Sequence, residues 1–318
     1  MTKQKDKYQP QEKILYDTII IGTGIVGWAT AMYAGRLGLK TLIIGDLPGG
    51  TIVIASPVEN YPGFISIPGK ELVDKIEEHA KEYDIHILND KVTKIEKINQ
   101  GYKAITQGKK FSTKTIIFCT GTKHRKLNIP GEKEFENKGV HYCALCDGPF
   151  YKDKIVGVAG GSDSAAKEAL MLTEFAKRVY IIYRKEKIRA EPVNTKRIEE
   201  KAKQDKIEII NNTNITEIKG KKQMEKVIFD KPHKGSKEFK LDALFIDIGY
   251  IPLSELAHSI GVKINDKGEI VIDKNSKTNI KGVFAAGDVT ETEFKQAITG
   301  VGEGVQAVYQ AYKYIKQA

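Results

Sequence analysis

The chain has 318 residues, of which 41% are hydrophobic and 29% charged, and its formal net charge is +10. This composition is that of a globular protein with apolar material for two cores. No apolar run is long enough to cross a bilayer, and no nucleic-acid-binding motif accompanies the basic charge, so neither membrane nor nucleic acid is an expected partner. Three cysteines do not make a secreted disulfide framework.

The first residues, Met1 to Lys13, are polar and rich in lysine. They lack the apolar core of a signal peptide, which predicts a disordered tail and a cytoplasmic protein.

A dinucleotide-binding pattern follows this tail. The β-branched run Asp17–Ile21 predicts a buried parallel strand, and it leads into Gly22-Thr-Gly24-Ile-Val-Gly27. A helix is predicted from about Ile25 to Leu37, and a second strand from Thr41 to Ile44. In this setting the three glycines are typical of a turn that holds a pyrophosphate at a helix N-terminus.

The next segment predicts a charged helix, a small antiparallel unit and one more buried strand. The helix is predicted over Ile65–Tyr83, and the buried strand over Thr115–Cys119, which makes Cys119 a core residue. The short strands are predicted over Ile85–Asn89, Lys91–Ile98, Tyr102–Thr106 and Lys109–Ser112. A linker is predicted around Thr122–Lys126.

The most chemically informative stretch is Cys143-Ala-Leu-Cys146-Asp147. Two cysteines with this spacing can close a small disulfide ring, and one thiol of such a pair commonly has a depressed pKa. The acidic side chain that follows can exchange the proton that thiol–disulfide exchange requires. In a reducing compartment the pair indicates redox catalysis or half of a metal site.

A second strand–turn–helix–strand pattern follows at once. Strand Lys154–Ala159 leads into a degraded glycine turn in which Ser162 replaces the middle glycine, and the second strand ends at Tyr183. An acidic residue at that end would select NADH, whereas basic residues select the 2′-phosphate of NADPH. The chain there is basic, which favours NADPH, at Arg184, Lys185 and Arg189.

The final part predicts a buried strand over Ala243–Ile248, a second crossing at Gly249–Pro252 and a strand that ends in Gly287-Asp288. Asp288 could accept a hydrogen bond from a ribityl hydroxyl. A last helix is predicted over about 294–315, interrupted by glycines.

Taken in order, these motifs resemble the low-molecular-mass thioredoxin reductases over nearly the whole chain. The position of CxxC between the two glycine turns, in the nicotinamide domain, identifies this branch. The matching pieces are Gly22-x-Gly24-x-x-Gly27, Gly49-Gly50, Val58-Glu-Asn-Tyr-Pro-Gly63, Thr120-Gly121, Cys143-Ala-Leu-Cys146-Asp147-Gly148, Gly160-Gly161-x-x-x-Ala165, Phe284-Ala-Ala-Gly-Asp-Val289 and Lys295-Gln296-Ala297.

The resemblance implies an α/β fold with two Rossmann-like domains and a homodimer. A discontinuous FAD domain would comprise residues 1–124 and 251–318, and an NADPH domain, residues 125–250, would be inserted into it. The two domains would rotate against each other, so that the flavin meets first the nicotinamide and then the disulfide.

The resemblance also implies residue roles, with no metal. Cys146 would receive electrons from the flavin, Cys143 would attack oxidised thioredoxin, and Asp147 would act as acid and base. FAD would be bound by Gly22, Gly24, Gly27, Asp46, Gly49, Gly50, Thr51, Asn60, Val92, Gly121, Asp288, Val289, Lys295, Gln296 and Ala297. NADPH would be bound by Gly161, Ser162, Asp163, Ser164, Ala165, Tyr183, Arg184, Lys185 and Arg189.

Other hypotheses stay open on the sequence. The donor could be ferredoxin or a deazaflavin, and the scaffold could oxidise dithiols with oxygen or reduce another disulfide protein. Two non-enzymatic alternatives are a flavin-binding redox sensor and a zinc-binding module that uses His141 with the two cysteines, although zinc needs four ligands.

Overall fold

The computed structural model describes residues 8–54 and 58–317. The described part of the chain forms two compact units, one from residues 8–54, 58–123 and 251–317, and one from residues 124–250. None of the helices in the described ranges is long and apolar enough to span a membrane.

The helices and strands follow one another in three segments of the chain. The first segment contains β1 (Leu15–Ile21), α1 (Ile25–Arg36), β2 (Thr41–Ile44), α2 (Gly69–Lys81), β3 (Ile85–Leu88), β4 (Lys94–Ile98), β5 (Gly101–Ile105), β6 (Lys110–Phe118) and β7 (Thr122–His124). The second contains β8 (Val140–His141), α3 (Ala144–Asp147), β9 (Ile155–Ala159), α4 (Asp163–Leu172), β10 (Arg178–Ile182), α5 (Pro192–Lys203), β11 (Ile207–Ile210), β12 (Ile215–Gly220), β13 (Met224–His233), β14 (Ser236–Lys240), β15 (Ala243–Ile246) and β16 (Tyr250–Pro252). The third contains α6 (Glu255–His258), β17 (Val283–Ala285) and α7 (Ala297–Gln317).

The first unit is built on one sheet in the order β3-β2-β1-β6-β5-β4, with β17 also paired to β6. Strands β3, β2, β1, β6 and β17 run parallel, whereas β4 and β5 form an antiparallel extension. Apolar side chains from both faces of this sheet form two cores, one of them under α1, α2 and α7. The carboxyl ends of β1 and β2 therefore meet at one edge, where the first glycine turn lies.

The second unit has a five-stranded parallel sheet in the order β11-β10-β9-β15-β8 and a three-stranded antiparallel sheet, β12-β13-β14. Cores on the two faces of the parallel sheet hold it against α4 and α5 on one side and against the antiparallel strands on the other. The mixed α/β fold with parallel sheets in two units confirms the predicted fold class.

Several predicted boundaries were wrong, for local reasons. The predicted helix over Ile65–Tyr83 begins only at Gly69, because Pro68 has extended backbone angles and its ring restricts the residue before it. The two strands predicted over 109–112 and 115–119 are one strand, β6, whose first half pairs with β5 and second half with β17. Helix α5 was missed, since only Asn194 and Ile198 of its side chains are buried.

The last helix is continuous, in contrast to the predicted interruption by glycines. A Cβ atom on Gly304 would lie 2.3 Å from the Thr30 hydroxyl of α1, so this glycine allows close helix packing.

The predicted disordered tail over residues 1–13 falls partly outside the described residues, which begin at Tyr8. From there the prediction was wrong, because the Ile87 N–H donates to the Tyr8 carbonyl over 2.9 Å and the Tyr8 hydroxyl donates to the Lys81 carbonyl over 2.8 Å.

Candidate active site

The two cysteines of the CxxC motif form a disulfide in which the Cα atoms lie 5.4 Å apart. Cys143 caps the N-terminus of α3, and its sulfur accepts a hydrogen bond of 3.0 Å from the Cys146 N–H. A hydrogen-bond donor at this sulfur stabilises a thiolate there once the disulfide is reduced. The geometry therefore favours Cys143 as the attacking sulfur.

Asp147, the last residue of α3, faces a buried histidine. Its Oδ2 lies 3.2 Å from Nδ1 of His141, and Nε2 of His141 lies 2.7 Å from the Tyr151 hydroxyl. Among the described residues Nδ1 forms no hydrogen bond of good geometry, so Asp147 is close to this nitrogen but poorly aligned with it. Catalytic hydrogen bonds are often poorly aligned when no substrate is bound. Burial lowers the pKa of His141, although Asp147 opposes the shift.

The two ring nitrogens of His141 lie 3.2 Å from Asp147 and 2.7 Å from Tyr151. Groups of three or more metal-binding side chains, which a zinc site would require, are absent from residues 8–54 and 58–317.

Two buried acidic side chains, Glu168 and Asp247, lie in the same unit, and sequence reasoning missed them. Glu168 of α4 accepts a hydrogen bond from the Ala144 N–H between the two cysteines, and burial raises its pKa to about 8, with Asp247 adding to the shift. Asp247, one residue past β15, is 2% exposed, and burial raises its pKa to about 6. Neither side-chain oxygen of Asp247 has a hydrogen-bond partner of good geometry. An isolated sequence offers no signal for such a pair, because its members are 79 positions apart and meet only in the fold.

Four residues after Cys146 in the chain lies a large aromatic side chain, Phe150, which is 80% exposed. Sequence reasoning did not single it out, although an aromatic residue directly after CxxC-Asp-Gly-Pro is visible in the sequence. An exposed phenyl ring near a reactive sulfur suits contact with another protein.

The first glycine turn has the geometry that a dinucleotide requires. Gly22 has φ of +117°, and a Cβ there would lie 2.1 Å from the Cys119 carbonyl oxygen, while one on Gly27 would lie 1.9 Å from the Gly22 carbonyl oxygen. A Cβ on Gly24 would meet nothing closer than 3.7 Å. Gly22 and Gly27 are thus needed by the fold, whereas a Cβ on Gly24 would only reach ordinary van der Waals contact with the Gly49–Gly50 loop.

The loop residues predicted to bind FAD lie in the first unit in different environments. Gly49 is joined to this turn by its N–H, which donates 2.9 Å to the Thr23 carbonyl, and Asn60 donates 2.9 Å to Gln296. Asp46 is exposed, and the Val92 side chain is 7% exposed in the core, so a contact from Val92 to a ligand would use its backbone. The remaining loop positions are partly exposed: Gly50, Thr51 and Gly121.

The carboxyl end of β17 brings the last predicted FAD residues together. Lys295 stabilises the loop that follows β17, because its Nζ donates a hydrogen bond to the Thr290 carbonyl and lies 3.1 Å from the Glu269 carboxylate. Burial raises the pKa of Asp288, with Lys295 opposing it. Val289 is fully buried in the core, whereas Gln296 and Ala297 at the start of α7 are partly exposed.

In the second glycine turn the serine has a structural role. Ser162 has φ of −84°, and its Oγ accepts the Ala165 N–H over 3.3 Å as the cap of α4. Its side chain is directed to the helix, so the missing glycine leaves the turn intact. Gly161 and Tyr183 pack tightly, since a Cβ on Gly161 would lie 2.3 Å from the Tyr183 ring.

Asp163 fastens the basic loop to this turn. Its carboxylate accepts the Glu191 N–H over 2.7 Å and the Asn194 amide over 2.8 Å, and it pairs with Lys167. Burial would raise the pKa of Asp163, but these partners together lower it.

The three predicted phosphate-binding cations lie on that loop, next to the turn. The Arg189 N–H donates 2.7 Å to the Gly161 carbonyl, and the side chains of Arg184, Lys185 and Arg189 are exposed. Ser164 and Ala165, in the first turn of α4, complete the set of predicted NADPH residues.

Residues 16–304 match the family model described as pyridine nucleotide-disulphide oxidoreductase. The chain belongs to this family.

Within the family, the similar proteins are thioredoxin reductases of low molecular mass. The thioredoxin reductase of Listeria monocytogenes is 37% identical over 311 residues, with 96% of each chain covered, and that of Bacillus subtilis is 36% identical over 310 residues. The solved thioredoxin reductase of Lactococcus lactis matches with a TM-score of 0.90 and 39% identity over 95% of this chain and all of the other. A ferredoxin-flavin thioredoxin reductase of Clostridium acetobutylicum matches with a TM-score of 0.52 and 30% identity over 95% of this chain and 99% of the other.

Membership of the pyridine nucleotide-disulphide oxidoreductases implies a flavin and a pyridine nucleotide. The residues present fit both groups. Gly24 caps the N-terminus of α1, whose free N–H groups suit a phosphate, and the exposed cations Arg184, Lys185 and Arg189 after the second turn suit a second anionic ligand. The predicted family, the fold and the thioredoxin reductase assignment are confirmed by these matches and by the disulfide.

Proposed function

We propose that the chain transfers electrons from NADPH, through FAD, to the Cys143–Cys146 disulfide and then to oxidised thioredoxin or a similar protein in the cytoplasm. The observation that carries this proposal is a disulfide whose first cysteine caps a helix, in the unit that also holds the second glycine turn. When bound, the flavin accepts hydride from the nicotinamide and delivers two electrons to the disulfide.

We assign the discontinuous unit to FAD and the inserted unit to NADPH. The first glycine turn, with Gly24 at the N-terminus of α1 and Gly49 beside it, would hold the FAD pyrophosphate. Asp288 would accept a hydrogen bond from a ribityl hydroxyl of FAD. Lys295 to Ala297 would line the FAD site at the same end of β17.

The protein residues act on sulfur and protons. The Cys146 N–H stabilises a thiolate at Cys143, which attacks the partner's disulfide, and Cys146 then attacks the mixed disulfide to release the partner as a dithiol. Asp147 would serve as the acid and base for these exchanges. The exposed Phe150 ring would contact the partner near the sulfurs. We expect the enzyme to be a homodimer, as the family resemblance implies.

The first prediction concerns the two redox cysteines. Replacing Cys143 or Cys146 with Ser abolishes thioredoxin reduction, because neither serine can form a disulfide, while flavin stays bound by the other unit. Turnover is measured with NADPH and oxidised thioredoxin, and flavin by its visible absorbance.

Cys119→Ala is the matched control for the cysteine variants, since this buried thiol lies in the core of the first unit. It retains activity. Wild-type turnover in either redox variant would contradict the proposed function.

The second prediction concerns the donor. Changing Lys185 and Arg189 together to Ala raises the KM for NADPH about 10-fold or more, because two cations facing a 2′-phosphate are lost. The KM for NADH, which lacks that phosphate, stays within about two-fold. Steady-state kinetics with both nucleotides measure the ratio.

Lys187→Ala, an exposed lysine on the same loop, is the control for a general charge effect. Equal losses for NADPH and NADH would reject the phosphate role. Anaerobic mixing of the wild type with NADPH, and separately with reduced ferredoxin, shows which donor bleaches the flavin.

A further inference from the structure

His141 is a polar side chain at a position where the fold supplies an apolar environment. It lies on β8 and is 5% exposed, and its ring centroid is 5.4 Å from that of Phe245 on the neighbouring strand β15. Burying an imidazole costs free energy unless its nitrogens find partners. Its partners are Asp147 on α3 and Tyr151 on the short 3₁₀ turn over Gly148–Tyr151.

The protonation of this ring follows from its neighbours. Burial lowers the pKa of His141, so the ring is neutral near pH 7. An ionised Asp147 can only accept, which places the ring hydrogen on Nδ1 and the lone pair on Nε2. The Tyr151 hydroxyl, 2.7 Å away, then donates to Nε2.

The three side chains thus form one series of contacts, from Asp147 on the CxxC helix to His141 and from His141 to Tyr151. The Asp147 side chain is 27% exposed, that of His141 is 6% exposed, and Tyr151 is partly exposed. The charged groups that act on these side chains are Asp147, on both rings, and Asp242, on Tyr151. Burial raises the pKa of Tyr151, and the two carboxylates add to this shift. The tyrosine therefore stays protonated and remains a donor.

We propose that His141 is a positioning residue for proton transfer during disulfide exchange: its Nδ1 side holds the Asp147 carboxylate in place, and the Tyr151 hydroxyl fixes the ring tautomer that this requires. This inference rests on the proposed acid–base role of Asp147.

The exchange step balances as follows. The Cys143 thiolate forms a bond to one sulfur of the partner's disulfide, and that disulfide breaks to release the partner's other sulfur as a thiolate. The Asp147 carboxylate takes the proton of the Cys146 thiol and passes it to the departing thiolate, so Asp147 is ionised before and after the transfer. The attack of Cys146 then restores the intramolecular disulfide, so two electrons reach the partner.

The test compares two disulfides with different leaving groups. The dithiol form of the flavin-loaded enzyme is prepared by chemical reduction and desalting, and is mixed anaerobically with oxidised thioredoxin or with an aromatic disulfide. The aromatic thiolate is a weak base and leaves without a proton, whereas the alkyl thiolate of thioredoxin needs one. A proton-transfer defect therefore slows only the thioredoxin reaction, and a packing defect at the disulfide slows both.

His141→Phe keeps the ring packing and removes both nitrogens. We expect this variant to reduce thioredoxin about 100-fold more slowly than wild type, and to reduce the aromatic disulfide at a rate within about two-fold of wild type. Tyr151→Phe, which removes one hydroxyl, shows the same selectivity with a smaller loss and remains informative if the histidine variant does not fold. His141→Asn, whose amide can replace the Nδ1 donor, recovers part of the rate. His233→Phe, on β13 and packed against Phe229 and Phe239, is the matched control and leaves both rates unchanged.

Equal slowing with both disulfides, or unchanged thioredoxin reduction in His141→Phe and Tyr151→Phe, would overturn the proposal. Failure of the wild type to reduce thioredoxin while it reduces the aromatic disulfide would instead reject the proposed partner.

Discussion

At the scale of single residues, the three cysteines have opposite environments. Cys119 is 6% exposed, its sulfur lies 3.7 Å from the Thr30 hydroxyl, and burial raises its pKa to about 12. Cys143 and Cys146 lie at a helix start with an N–H donor on one sulfur. Reactivity is therefore set by position in the fold and not by residue type.

The third prediction follows from this contrast. After mild reduction at pH 8, the native protein reacts with iodoacetamide at Cys143 and Cys146 only, because the Cys119 thiolate is not populated. Mass spectrometry of tryptic peptides locates the label. In urea Cys119 is labelled as well, which is the control, and rapid labelling of Cys119 in the native state would refute the assignment of a buried thiol.

At the scale of elements, α4 places Glu168 between the redox helix α3 and the end of β15. A carboxyl group whose pKa is raised on folding binds its proton more tightly in the native state than in the unfolded state. The free energy of unfolding therefore falls as pH rises from the unfolded pKa, near 4.5, to the folded pKa of about 8, and then levels off. Each unit of pKa shift corresponds to about 1.4 kcal/mol.

The fourth prediction is that Glu168→Gln flattens this pH dependence. The neutral amide keeps the size of the side chain, can still accept the Ala144 N–H and has no proton to lose, so the variant gains stability relative to wild type as pH rises from 5 to 8. Urea unfolding at several pH values measures the slope. Glu174→Gln, at an exposed position just after α4, is the control, and a slope unchanged by Glu168→Gln would exclude a buried acid.

Local sequence signals were enough to predict the elements that are bounded by glycine turns. Glycines 22 and 27 and the strands around them were predictable, because their steric demands and apolar runs are properties of short segments. Helix α5 has two buried side chains and gave no periodic signal, and β6 was divided because Thr113 and Lys114 look like a turn between two apolar runs. The contact between His141 and Asp147, and the electrostatic effect of Asp247 on Glu168, depend on packing among elements, which sequence order alone does not give.

At the scale of the whole molecule, the net charge of +10 is distributed unevenly. Lysines are concentrated on the exposed hairpin of β13 and β14, in the unit that carries the disulfide. A positive surface attracts an acidic protein over distances of about a Debye length, and salt screens this attraction.

The fifth prediction is a salt dependence of partner encounter. With an acidic thioredoxin, kcat/KM falls about 10-fold between ~10 mM and ~300 mM salt, whereas the rate with a small uncharged disulfide stays constant. Replacing Lys237 and Lys240 with Gln reduces this slope. An equal salt effect on both substrates would indicate a change in the enzyme and not in the encounter.

Strands β7 and β16 pair as a two-stranded sheet, so the chain leaves the first unit and re-enters it through neighbouring backbones. An insertion whose two ends lie side by side can be cut out and bridged by a short glycine-containing turn, or exchanged for a homologous cassette of different nucleotide preference. Such chimeras would let donor choice be engineered without rebuilding the seven-stranded sheet, and the minimal host left after excision could serve as a compact flavin carrier.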